Sequence, residues 1–158
     1  MRLSRISIRN FRRLKDVAIS FEVDETVFVG PNNSGKTSAT AAVRSFLGRR
    51  DFKIHDFSAC VIKKFDCFGS GQEPEIIPSI QLDLWFTVDP DTISFGQVIS
   101  LSTGVSQDFT EIGIRCSLEL KSKENLLVDY QSAFPDKDGS RDRNLSHFLG
   151  LDGKLKQH

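Results

Sequence analysis

The sequence predicts an α/β domain whose short core is joined to an antiparallel β-subdomain. Three observations predict it. Val17, Ile19, Phe21 and Val23 alternate strictly with smaller or polar residues and are soon followed by a continuously apolar run at 26–29. A glycine-bearing loop, VFVGPNNSGKTSAT over 27–40, then leads into Ala39, Val43, Phe46 and Leu47, spaced as one face of a helix. Further on, Ile80, Leu82, Leu84, Phe86 and Val88 alternate at period two, and Ile112, Ile114, Cys116, Leu118 and Leu120 do so again.

In chain order, Leu3, Ile6 and Ile8 predict a first strand, broken by a turn at Asn10-Phe11-Arg12-Arg13-Leu14. Residues 17–23 read as a half-buried strand, and Asp24-Glu25 as the next turn. The run at 26–29 fits a third strand buried on both faces. Gly48 sits where a C-cap glycine ends the first helix. Residues 49–79 mix charge with Gly69, Gly71, Pro74 and Pro78 and read as a surface excursion. Residues 80–132 form the antiparallel β-subdomain: a strand to Val88, then a hairpin of 112–120 and 126–130 about the polar turn Lys121–Asn125. Residues 133–158 read as a charged tail, with the start of a helix at 145–151.

The chain has 158 residues, 39% hydrophobic and 27% charged, which suits one soluble globular domain with a sizeable core. Its net charge is zero, yet residues 1–50 carry ten Lys/Arg against four Asp/Glu. Six of those cations (Arg2, Arg5, Arg9, Arg12, Arg13 and Lys15) precede the first acid, Asp16, so positive potential gathers at the N-terminal end. That placement suits an anion, nucleic acid included. Cys60, Cys67 and Cys116 are odd in number and lack metal-ligand spacing, so they read as reduced thiols. His55, His147 and His158 are scattered and suggest no metal site. With neither an apolar leader segment nor a membrane-length apolar run, a cytoplasmic location is expected.

The chemistry concentrates in Gly30-Pro31-Asn32-Asn33-Ser34-Gly35-Lys36-Thr37, which satisfies Gly-x4-Gly-Lys-[Ser/Thr], the Walker A or P-loop pattern, in full. Gly30 and Gly35 let the loop wrap with its N–H groups inward as an anion nest, and the helix that follows adds unsatisfied donors and a partial positive charge. Lys36 reaches the β- and γ-phosphate oxygens and is the candidate catalytic group. Thr37 offers its hydroxyl to Mg2+, an ion that takes few protein ligands. Asn32, Asn33, Ser34 and Ser38 complete the expected contacts, with ATP and Mg2+ as cofactors.

Asn10-Phe11-Arg12 after a first strand and GPNNSGKT after a third together resemble the ABC-type ATPase heads of the RecF/SMC class, most closely the OLD (overcoming lysogenization defect) ATPases. The close resemblance covers residues 1–48. It implies a P-loop NTPase fold, the N-terminal lobe of such a head, with the antiparallel β-subdomain covering one side of a parallel sheet. It further implies that Arg12 contacts phosphate or couples its binding, that Phe11 packs beneath the sheet, and that Asn33 and Ser34 approach the γ-phosphate. The partners it implies are a second head closing over the nucleotide, DNA, and a nuclease or effector; many OLD proteins serve in anti-phage defence.

A complete head also needs a strand ending in Asp-Glu and a signature loop. Leu101-Ser-Thr-Gly104-Val-Ser-Gln107 and Leu126-Leu-Val-Asp129 resemble these parts, but the residues after the first alternate as a strand, and Tyr130 follows the second where Glu belongs. Asp136, Asp138 and Asp142 read as a solvated charge run, Gln81 as a strand residue, and Trp85 as cover for the sheet's second face. The expectation is therefore the N-terminal piece of an ATPase, weak in hydrolysis by itself. The alternatives are a DNA-tethering or repair module without a nuclease and, less favoured by the antiparallel strands, a P-loop kinase.

Overall fold

The alternating segments assemble into one antiparallel sheet of four strands, ordered β2-β1-β3-β4, in the computed structural model. The structure describes residues 1–48, 50–72, 77–89, 109–136 and 141–157. The strands are β1 (Arg2–Phe11), β2 (Leu14–Ser20), β3 (Ile80–Thr87) and β4 (Glu111–Leu118). The helices are α1 (Lys36–Leu47), α2 (Ala59–Gly69), α3 (Lys123–Ala133), α4 (Leu145–Leu149) and α5 (Lys154–Gln157), with a 3-10 turn at Ile54–Asp56.

Period-two alternation gives the sheet two unlike faces. Register places Ile6 between Ile19 and Leu84, and Ile8 between Val17 and Leu82. Ile6, Ile8, Ile80, Leu82 and Leu84 are buried on this face, where α1 lies against β1 and β3. The opposite face is polar. There Arg5 stacks 4.9 Å over the Trp85 ring, which in turn covers Gly113. Beside them Asp83 accepts two hydrogen bonds from Arg115, at 2.7 and 3.0 Å, with Arg9 4.0 Å away.

The hydrogen bonds from Arg115 hold the Asp83 carboxyl below the usual carboxylate range; burial opposes them, and the charges of Arg115 and Arg9 add to them. Because the folded value is the lower one, the ionised carboxylate stabilises the fold above the unfolded value of about 4, and that contribution is lost as pH falls through the folded value. Asp83→Asn is expected to cost about 1–2 kcal/mol at neutral pH and to flatten the loss of stability below about pH 4. Denaturant titrations across pH check this; parallel curves for the two proteins would overturn it.

Several elements differ from the sequence reading. Residues 26–29 form no strand: Val27 is 69% and Val29 88% exposed. A strand buried on both faces needs a ladder partner, and none of the described strands runs beside this segment. Instead the Glu22 N–H donates to Thr26 Oγ1 at 2.9 Å, and Phe28 meets the Phe21 ring edge-on. The first helix does form, but it buries Ala39, Ala42 and Ser45, and Leu47 is exposed.

Residues 49–79, read as a surface excursion, contribute Ile54, Phe57, Val61, Phe65 and Phe68 to the core. The last three recur at i, i+4 and i+7 of α2, so mixed charge hid a helical period. Residues 126–130, read as a strand, lie in α3. Its N-cap is Ser122, whose hydroxyl accepts the Asn125 N–H at 3.2 Å, and it buries Leu126 and Tyr130 one turn apart. The 133–158 tail supplies Leu145, Phe148 and Leu149 to the same core, through α4 against α2.

Candidate functional site

Two short segments build the site: the β1–β2 hairpin turn and the loop that heads α1. The turn passes through Arg12-Arg13, with Asn10 and Arg12 left-handed at φ 59° and 52°. Such angles are costly for non-glycine residues and persist where the surroundings fix them. Here residues 56–58 and 79 do so. Arg12 N–H donates to the Asp56 carbonyl at 2.7 Å, Ser58 N–H to the Asn10 carbonyl at 2.9 Å, and Asn10 Nδ2 to the Ser79 carbonyl at 2.8 Å. Phe11, between the two bent residues, is fully buried.

The loop is shaped by Gly35, at φ 98°, immediately before α1. A β-carbon there would sit 2.8 Å from Leu14 Cδ2, whose side chain would have to shift, and the left-handed angle strains any other residue whatever the space. Asn33 is also left-handed, at φ 71°. The Lys36 ammonium folds back on the loop. It donates to the carbonyl of Gly30, to that of Pro31 at 2.9 Å, and to Ser34 Oγ at 3.3 Å.

Between turn and loop lies a cleft of about 250 Å³, lined by Arg12, Arg13, Asn32, Asn33, Ser34, Gly35, Lys36, Thr37 and Ser38. Three of these are cations and none is a carboxylate. Eight of the nine residues expected from the sequence share this lining, and Gly30, the ninth, touches it through Lys36. Arg13, a member of the basic N-terminal cluster, joins the lining beyond the residues expected from the sequence. Asp56 had no local signal at all. It binds Arg12 across 44 residues of sequence, with Nε–Oδ1 at 2.9 Å.

The side chains and position suit a polyphosphate: the Lys36 ammonium, the Arg12 and Arg13 guanidinium groups and the head of α1 line one cleft. Among the described residues no cluster of three His, Cys, Asp or Glu could hold a metal by itself. A magnesium ion would be held by Thr37 together with phosphate oxygens, the usual manner for that ion.

The other suggestive residues lie elsewhere. Leu126–Asp129 sits on a helix, which removes it as the strand of a Walker B motif. Residues 101–107 lie outside the described residues. Gln81 takes a hydrogen bond from Arg9 on the polar face of the sheet and does not line the cleft. Asp136 and Asp142 are exposed, and Asp138 lies outside the described residues. Cys60, Cys67 and Cys116 are free thiols. Among the described residues no helix is long and apolar enough to cross a membrane.

A family model described as an AAA ATPase domain matches residues 1–149. The chain belongs to the AAA ATPase domain family. No curated protein matches this AAA ATPase domain. Among solved structures, one from work on ATP-driven dimerization and DNA-stimulated activation of SMC ATPases is similar at 18% identity and a TM-score of 0.47, covering 99% of this chain and 90% of its own. Family membership makes ATP the nucleotide to weigh against the cleft, with Mg2+ its usual companion.

Proposed function

We propose that residues 30–38 and Arg12 bind the triphosphate of MgATP, and that the chain is the N-terminal, nucleotide-gripping part of an ATPase head of the RecF/SMC class, OLD-like in its motifs. What supports the reading is the cleft itself: the loop at 32–38, the head of α1 and three cations line one concavity in a chain of an ATPase family. Loop amides and the α1 N-terminus take the inner phosphates. Lys36 exchanges the loop carbonyls for β- and γ-oxygens. Asn33 and Ser34 stand at the γ end, and Thr37 ligates Mg2+.

The lining offers donors and positive charge, which bind and orient but do not accept a proton from water. Hydrolysis in this reading needs a carboxylate and a signature loop from elsewhere, the latter from a second head closing over the cleft. Control of DNA or of a nuclease and anti-phage defence belong to the same reading, and they rest on the resemblance of residues 1–48 to OLD proteins.

Titration with ATP in Mg2+ and in chelator tests the assignment. The wild type is expected to bind about tenfold more tightly with Mg2+, and Thr37→Ala to lose most of that gain. A variant that keeps the full gain removes the metal role of Thr37. A wild type that does not bind ATP removes the whole reading.

A further inference from the structure

We propose that Asp56 is a positioning residue for the nucleotide: it fixes the Arg12 guanidinium so that the donors left over face the terminal phosphate. The inference rests on the ATP reading above and adds the group that orients its arginine. Arg12 donates through Nε to Asp56 Oδ1 at 2.9 Å, and its Nη2 lies 2.9 Å from the same oxygen. A guanidinium has five N–H donors in a rigid planar fork, so three remain on Nη1 and Nη2. Arg12 lines the cleft together with Lys36 and the loop. The terminal phosphate, the most highly charged of the three, is the group those donors suit.

Asp56 is itself immobilised. It is 4% exposed, its Oδ2 accepts the Lys53 N–H at 3.0 Å, and its carbonyl accepts the Arg12 N–H at 2.7 Å. The Phe11 ring supports the guanidinium from 5.1 Å away. Held by a carboxylate on one edge and a ring below, the arginine has given up its rotamer freedom before any phosphate arrives, which is how preorganisation raises affinity. A purely structural aspartate would tie residues 56–58 to the hairpin without influencing which nucleotide binds.

The ratio of ATP to ADP affinity separates these roles. Arg12→Ala and Asp56→Asn are each expected to lower the preference for ATP about tenfold, and the double variant no further than either alone. An Asp56→Asn protein with wild-type preference overturns the proposal, as does a double variant whose loss is the product of the two. Arg12→Lys keeps the buried carboxylate charged and paired, so it reports even if Asp56→Asn does not fold. A lysine cannot bridge carboxylate and phosphate as a fork does, so the same loss is expected, and retained preference overturns the proposal. Failure of the ATP reading looks different: wild type and Lys36→Ala would then bind ATP alike, and the proposal falls with it.

Discussion

Lys36→Ala lowers the affinity for MgATP by about a hundredfold, or about 2.7 kcal/mol, in the expected result of a direct binding titration. The lysine is the cation rooted in the loop itself, three bonds deep among Gly30, Pro31 and Ser34. Charge-assisted contacts to two phosphate oxygens are worth roughly 1.5–3 kcal/mol each before the loop carbonyls are given up. The net loss therefore lies below their sum. Global stability changes by less than about 1 kcal/mol, because all three bonds are internal to an exposed loop. Equal affinities for wild type and variant would end the clamp assignment, and a large drop in melting temperature would show that the lysine serves the fold instead.

Phe65→Ala is expected to cost about 3–5 kcal/mol of folding stability, the largest effect of any single change considered. Phe65 is 1% exposed, and its ring meets Phe57 edge to face at 5.2 Å. Phe57 follows Asp56 directly and bridges to Phe11, so the void left by the ring opens beside the segment that anchors the hairpin turn. Denaturant midpoints measure the cost. A loss under about 1 kcal/mol would mean that α2 contributes little to the core, as its mixed charge first suggested.

The site was legible in the sequence where its chemistry is local. Gly30, Gly35, Lys36 and Thr37 fall within one eight-residue motif, so their spacing alone marks them as a candidate anion loop. The strands β1, β2, β3 and β4 were likewise visible, because alternation is a property of each segment by itself; that β3 pairs antiparallel with β1 in one sheet, in place of a parallel core with a separate subdomain, was not. What stayed hidden depended on distant partners. The run at 26–29 has the composition of a strand, but a strand exists only beside another. Leu126, Leu127 and Val128 look equally strand-like, and Ser122 decides the matter by capping a helix. Asp56 is the plainest case: its role is set by Arg12, 44 residues earlier, and no local pattern announces it.

Strand β1 has one neighbour made at once and another made much later, since Ile8 pairs with Val17 on one side and with Leu82 on the other. The hairpin can close while the chain is still being synthesised. Bringing Leu82 home closes a loop of about 74 residues, at an entropic cost on the order of 4 kcal/mol. At ordinary translation speeds the second edge of β1 waits roughly 4–15 s for its partner. Arginines at positions 2, 5 and 9 along β1 give that waiting edge the charge by which edge strands resist pairing with other chains.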